Sequence, residues 1–383
     1  MRSILALTLA VIAISPAAAR GQEPSAFIVK LGRDTLSLEQ FTRTPTVVRG
    51  ELVVRTPRSL YRTYVMDLRP DGTVRRFELV TRPLDGGPGP AVTRGVIEFT
   101  GDSAIVITPR GDSSVTTRMA VGKNAVPSLN GVMGIMDQVG RQAHAAGGKG
   151  YPLDMVPLGA SQPLRANVSR GGGDTLVLAL TTSLGNVPPY RITLDKTGRL
   201  TAFSGKGSTF QAEARRVPQV NLVAASTEYG GRALGPLSSR DTVRATLGSA
   251  AIWVDYGRPS KRGREIFGSV VPWNTVWRTG ANAATQLQTS ADLVIGNTTV
   301  PAGTYTLWTL PSPKGWKLIV NRQAGQWGTM YDPVRDLARV DLKVETLPEA
   351  VETFTVAIEG TGSSGMLRMS WDQTRVSVPL KAK

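Results

Sequence analysis

ARVDLKVE, residues 338–345, sets Val340, Leu342 and Val344 at alternate positions, with Arg339, Asp341, Lys343 and Glu345 between them. Successive side chains of an extended chain point to opposite faces, so this period of two reads as a strand with one buried and one wet face. TFTVAIE (353–359) repeats the pattern with Phe354, Val356 and Ile358, and TRVSVPL (374–380) repeats it with Val376, Val378 and Leu380. Turn chemistry punctuates runs of this kind. Asp71-Gly72, Gly101-Asp102-Ser103, Gly111-Asp112-Ser113, Gly173-Asp174-Thr175, Thr197-Gly198 and Gly296-Asn297 all carry the residue types that close hairpins. The recurring Gly-Asp-Ser/Thr supplies one carboxylate per segment, whereas a calcium loop needs several oxygen ligands close together. The fold class that follows is mainly β and antiparallel.

Helical periodicity is confined to SLNGVMGIMDQVGRQAHAAGG, residues 128–148, where Val132, Ile135, Met136 and Val139 share one face. A helix is expected over about 128–147, capped by Ser128 or Asn130 and ended by Gly147-Gly148. Residues 224–241, AASTEYGGRALGPLSSRD, are rich in Gly, Ser and Ala and lack a long apolar run. The chain therefore divides into a module over 20–225, a linker over 226–239 and a second module over 240–383. The first reads as an antiparallel β-meander with one helix, the second as a β-sandwich or jelly-roll-like module of about nine strands.

The first nineteen residues are of another kind. Arg2 precedes the apolar run Ile4–Ile14, Pro16 breaks it, and Ala17-Ala18-Ala19 supplies the small residues of a cleavage site. That is the pattern of a signal peptide cut after Ala19, so the expected destination is the periplasm or the medium. No later stretch approaches the roughly 18 apolar residues of a membrane span. The chain has no cysteine, hence no disulfide and no thiolate chemistry. Its 45 Lys and Arg against 29 Asp and Glu give a formal charge of +16. The positive residues are spread along the whole chain, which reads as diffuse solvation rather than a nucleic-acid surface.

Several chemistries are excluded by count or order. His144 is the only histidine, which removes histidine-rich metal sites; at the end of the expected helix it suits the negative end of the dipole. Gly147–Gly150, GGKG, follows a helix, whereas a phosphate loop precedes one. No G-x-S-x-G elbow and no S-x-x-K pair of the β-lactamase type occurs.

The densest gathering of polar and aromatic groups runs from Ile252 to Thr285. It includes GRPSKRGREIFG (257–268), in which Pro259, Gly263 and Gly268 bend the chain and Ile266 and Phe267 pin it to a core. Arg258 and Arg264 are then oriented, whereas Lys261 and Arg262 read as solvated. Guanidinium groups fork onto carboxylates or phosphates, and indole faces stack on sugars or cations. The same residues admit a scaffold reading, with Trp253, Trp273 and Trp277 in the core and Arg278 satisfying a buried turn beside Asp255.

YGRPSKRGREIFGSVVPWNTVWRTGANAATQL, VPAGTYTLWTLP, GWKLIVNR, GQWGTMYDP and ARVDLKVETLPEAVETFTVAIE follow one another in the order of a known pattern. Over about residues 240–360 the chain resembles the bacterial family called domain of unknown function 2911. Arg258, Pro259, Ser260, Gly263, Arg264, Ile266, Phe267, Gly268, Trp277, Arg278, Thr279, Gly280 and Asn282 match it, whereas the family's G-A-N-E-A-T has Ala283 in place of its glutamate. The resemblance implies an exported bacterial protein and carries no established activity; the missing glutamate weakens a catalytic reading. No such resemblance covers 20–225.

The expectation is an exported, soluble, non-catalytic binding or envelope-associated protein. Its ligand, anionic or sugar-like, would contact Arg258, Arg264, Trp277, Arg278 and Asn282. No catalytic residue, metal or cofactor is assigned, no nucleic acid is expected as partner, and no oligomeric state follows. Two alternatives stand beside it. One is a hydrolase or lyase using Asp255, Tyr256 and Arg278; the other is a purely structural module.

Overall fold

The computed structural model describes residues 22–85, 92–147, 150–181, 189–206, 208 and 210–383. The expected leader and Gly148 of the expected helix end lie outside them. As the periodicity predicts, the protein is mainly β, built from two sheets. All six turn segments singled out above join paired strands.

One arm of the first sheet runs through β1 (Glu23–Leu31), β2 (Asp34–Arg43), β3 (Val47–Val54), β4 (Leu60–Leu68), β5 (Val74–Pro83), β6 (Thr93–Phe99), β7 (Ser103–Arg110) and β8 (Ser113–Ala120). The other comprises β9 (Val126–Ser128), β10 (Tyr151–Pro157), β11 (Leu164–Arg170), β12 (Thr175–Leu180), β13 (Tyr190–Leu194), β14 (Leu200–Ser204) and β15 (Ala212–Val217). β15 pairs antiparallel with β1, giving one 15-stranded sheet ordered from β8 to β1 and then from β15 back to β9. Helix α1 (Met133–Ala145) links β9 to β10, which are parallel neighbours.

Fifteen strands about 4.8 Å apart would make a flat sheet about 70 Å wide, whereas the 13 residues of α1 span only about 20 Å. Yet Phe27, Phe77, Val106, Leu153, Leu178 and Leu194, from strands in both arms, share one core with Val132, Ile135 and Val139 of the helix segment. The sheet must therefore coil around the helix. Leu158, just beyond β10, reaches Gly95 of β6 on the opposite arm, where an added Cβ would lie 3.1 Å from its methyl carbons.

The start of α1 departs from expectation. Ser128 and Asn130 do not cap it: the residue before Met133 is Val132, with extended backbone and no side-chain acceptor. Glu39 of β2 supplies the cap instead, its carboxylate accepting from the backbone N–H groups of Met133 and of Gly134, the latter at 3.0 Å. Gly134 is needed for that approach, because a Cβ there would meet Tyr64 Oη at 2.0 Å. At the other end Gly147, at φ +77, closes the helix as predicted.

A second helix, α2 (Leu222–Tyr229), lies where the sequence reads as module end and linker. Asn221 caps it, and Leu222 and Ala225 pack on Val53 and Tyr61, on the convex face of the sheet. Beyond it, residues 230–237 are tied down: Leu234 N–H donates to Arg55 O at 2.7 Å and Thr56 Oγ1 to Gly235 O at 2.9 Å.

The second sheet contains β16 (Ser238–Leu247), β17 (Ala250–Pro259), β18 (Thr285–Thr289), β19 (Leu293–Ile295), β20 (Thr298–Val300), β21 (Gly303–Leu310), β22 (Trp316–Asn321), β23 (Asp336–Thr361) and β24 (Ser364–Ala382). It is a meander in which the β19–β20 hairpin leaves to pair with β24. The sheet folds over on itself, so that its two layers are halves of one sheet around one core. Val356 N–H donates to Tyr256 Oη at 3.1 Å, and Lys261 N–H to Glu352 O at 2.7 Å, joining the two layers. ARVDLKVE and TFTVAIE belong to the same 26-residue strand, β23, with register shifts between them. Val340 and Leu342 are buried as the alternation predicts, whereas Val344 is 44% exposed where the strand leaves the core.

Candidate ligand-binding site

The five residues expected to share a ligand occupy three separate places. Arg258 lies on β17 and spends its guanidinium on the protein: Nε donates to Phe354 O at 3.4 Å, Nη1 to Asp241 at 3.1 Å and Nη2 to Thr355 Oγ1 at 3.2 Å. Phe354 and Thr355 lie at a register shift of β23, where backbone carbonyls lose their regular ladder partners, and Asp241 lies on β16. Trp277 is 6% exposed, stacked on Trp371 with centroids 5.9 Å apart and edge-on to Phe354 at 5.1 Å. The crevice among these rings is about 10 Å³, at most the space of a single water of about 10–15 Å³.

Arg264 lies in the 260–264 loop, where Nε donates to Lys261 O at 3.0 Å and Nη2 to Ser260 O at 2.6 Å. Burial, with Arg262 adding to it, lowers its guanidinium pKa to about 10. Arg278 and Asn282 meet elsewhere, beneath the loop of Trp327 and Gly328 on the outer face of the sheet. Asn282 is exposed at φ +63 and its carbonyl accepts from Gly328 N–H at 2.9 Å. Arg278 is largely buried, which lowers its pKa, and a Cβ on Gly328 would stand 2.1 Å from its Cδ. Ala283, where the family has glutamate, forms a β-bridge with Trp327.

The basic loop lies at the junction of the two sheets. Arg262 Nη1 reaches Asp34 Oδ2 at 2.6 Å with its side chain only 11% exposed, and its carbonyl accepts from Arg33 N–H at 3.0 Å. Lys261 pairs with Asp372. The solvated reading of these two cations is thus corrected: each lies next to a carboxylate from a distant part of the chain. Gly263 and Gly268 do bend the loop, at φ +74 and +94, and Ile266 is fully buried.

Asp255 and Tyr256 are neighbours on β17, so they point to opposite faces. Asp255 faces outward and pairs with Arg240 at 2.8 Å, whereas Tyr256 is 1% exposed in the core. Neither Asp255–Arg278 pairing nor an Asp255–Tyr256 site is built by this geometry. Among the described residues no group of three or more His, Asp or Glu could hold a metal ion. His144 is exposed at the end of α1, beside Gly198.

Sequence reasoning missed a cavity in the first module. It measures about 130 Å³ and lies between the start of α1 and the concave face of β1, β10, β12 and β15. Its floor is Val29, Val132, Met133, Met155, Leu178 and Ala212, all buried. Its mouth is half-buried Leu180, Tyr190, Phe203 and Phe210, with Leu164 45% exposed and Asn130 exposed. Among the described residues the lining contains no Asp, Glu, Lys, Arg or His. Three methionines, Met133, Met136 and Met155, face it, and their unbranched thioethers adapt to irregular apolar shapes. The alternation of TLVLAL in β12 identifies a buried face, but no local pattern tells a filled gap from an open one.

A buried polar network fixes α1 beside this cavity. Asp137, 1% exposed, accepts from Arg43 Nε at 3.1 Å, Arg141 Nε at 2.9 Å and Leu200 N–H at 2.9 Å. Arg43 also donates to Gln138 at 2.7 Å, and Arg141 reaches Glu23 at 2.6 Å. Glu39 is fully buried, and Tyr64 Oη donates to it at 2.7 Å. Burial pushes its carboxyl up to about 7, against the opposing effect of the hydrogen bonds from Tyr64, Met133 and Gly134.

Residues 238–380 match the family described as "Protein of unknown function (DUF2911)", so the resemblance extends almost to the end of β24. The N-terminal part matches no family. No curated protein matches the chain. Among solved structures, a DUF1089 family protein from Pseudomonas aeruginosa is 12% identical, with 45% of this chain and 91% of that chain covered at a TM-score of 0.33. A "Beta-barrel-like Protein of Domain of Unknown Function DUF1849" from Brucella abortus is also 12% identical, with 51% and 94% covered at a TM-score of 0.35.

Proposed function

We propose that the protein is an exported, non-catalytic binding protein that holds an uncharged apolar group in the cavity between α1 and the first sheet. The observation that carries this reading is the cavity itself, about 130 Å³ and lined by Leu, Val, Met and aromatic side chains. An apolar cavity of about 150 Å³ stays dry and takes up a benzene-sized group, and each Å² of apolar surface so buried contributes about 25 cal/mol. Among the described lining residues Tyr190 is the only titratable group, which favours holding over acid–base chemistry. Export rests on residues 1–19, whose pattern is that of a leader. In this reading Arg258, Arg264, Trp277, Arg278 and Asn282 are scaffold rather than a ligand site, because Arg258 and Arg264 bond to backbone carbonyls and Trp277 is core.

Toluene, neutral and close to benzene in size, tests it by calorimetric titration. The wild type should bind saturably, Ala212→Leu should weaken binding about tenfold or more by filling the floor, and Arg264→Ala should leave affinity nearly unchanged. Loss of binding in Arg264→Ala with retention in Ala212→Leu would return the site to the C-terminal module.

A further inference from the structure

We infer that Glu39 makes occupancy of this cavity pH-dependent, the wall at the start of α1 closing when Glu39 is protonated and opening when it is ionised. The inference rests on the cavity reading above. Gly131, Val132, Met133 and Met136 line that wall, and Glu39 holds it at Met133 and at the next residue, Gly134, from whose backbone N–H groups its carboxylate accepts. Among the described residues no other side chain caps the helix; below it, Ser37 Oγ donates to Gly131 O at 3.3 Å and ties the approach segment to β2.

Among the described residues Glu39 has no cation of its own. Arg43, on the same face of β2, is committed to Asp137 and Gln138, and Arg141 to Asp137 and Glu23. The groups that face Glu39 are the Tyr64 phenol from β4, which favours the anion, and Asp137 from α1, which opposes it. An ionised carboxylate buried without a cation carries a desolvation cost that water would relieve. The covering element nearest to it is the first turn of α1, so hydration of Glu39 requires that turn to move, and the turn is the cavity wall. The protonated acid removes that cost and still accepts from one of the two backbone donors. The midpoint then falls near neutrality, because burial outweighs the hydrogen bonds that favour the anion.

The sign follows from linkage. A carboxyl whose pKa is raised in the closed state favours that state below about 7, and the advantage is lost as pH rises through about 7. Ligand bound to the closed state must in turn raise the Glu39 pKa.

The affinity for toluene, measured between about pH 5.5 and 8.5, should fall about fivefold or more as the pH rises through the Glu39 transition. Glu39→Gln, neutral throughout, should hold the probe at all pH values. Tyr64→Phe removes a bond to the anion and should move the midpoint upward. A pH-independent wild type, or a Glu39→Gln protein that follows the wild-type curve, overturns the inference. If Glu39→Gln does not fold, an unmoved midpoint in Tyr64→Phe overturns it equally. Probe binding that Ala212→Leu abolishes but pH leaves untouched defeats the gating alone; absence of probe binding in the wild type at every pH defeats the cavity reading and the gating with it.

Discussion

Arg262 sits at φ +52 between two sheets, its guanidinium on Asp34 and its carbonyl on Arg33 N–H. Gly32 in the β1–β2 turn makes this approach possible, since a Cβ there would stand 2.0 Å from the Arg262 carbonyl oxygen. The pair is largely desolvated, so removing either member leaves the other short of a partner, at a cost of about 1–3 kcal/mol. A double-mutant cycle on Arg262→Ala and Asp34→Ala, read by urea unfolding, should return a coupling of about 1 kcal/mol or more. Additive effects would mean that the junction is held by other contacts. None of this was legible locally: in GRPSKRGREIFG the glycines and proline announce a shaped loop, but the carboxylate that Arg262 meets is 228 residues away.

At the scale of elements, α1 illustrates both what periodicity reveals and what it leaves out. Val132, Ile135, Met136 and Val139 are all buried, as their spacing requires. The polar face is buried too, and Asp137, Gln138 and Gln142 reach partners that no helical pattern could name. Asp137→Asn would leave the 8%-exposed Arg43 without its carboxylate, and breaking such a buried pair costs about 3–5 kcal/mol. The expected outcome is a lower urea midpoint with loss of the probe-binding cavity; unchanged stability would remove the network from the account of how α1 is held. Helix α2 escaped notice because its eight residues are too few for a periodicity and their Ala-Ser-Thr composition resembles a linker. The reverse holds for β23: its two alternating runs are plain in the sequence, but their union in one strand depends on pairing with β22 and β24.

Across the whole molecule, alternation and turn chemistry suffice to predict a mainly β protein, and the motif order suffices to find the resemblance over about 240–360, within the 238–380 that match the family. What they leave out is curvature. The coiling of fifteen strands around one helix is a property of contacts between the arms, such as Leu158 against Gly95, and the cavity exists only because of that coiling. For the same reason the conspicuous cations of the C-terminal module drew attention as a site, while the apolar lining, spread from Val29 to Ala212, had no local signature. No helix among the described residues is long and apolar enough to cross a membrane; α1 is a core element by its packing, with Ile135, Met136 and Val139 in the cluster that the strands enclose.

Xenon tests whether the first module contains an open apolar cavity able to take a ligand, without assuming which ligand that is. Apolar cavities of about this size bind xenon. Diffraction from a crystal pressurised with xenon should show anomalous density bounded by Val29, Met155, Leu178 and Ala212. Density confined to the C-terminal module, or none in the first, would mean that the first module has no open cavity.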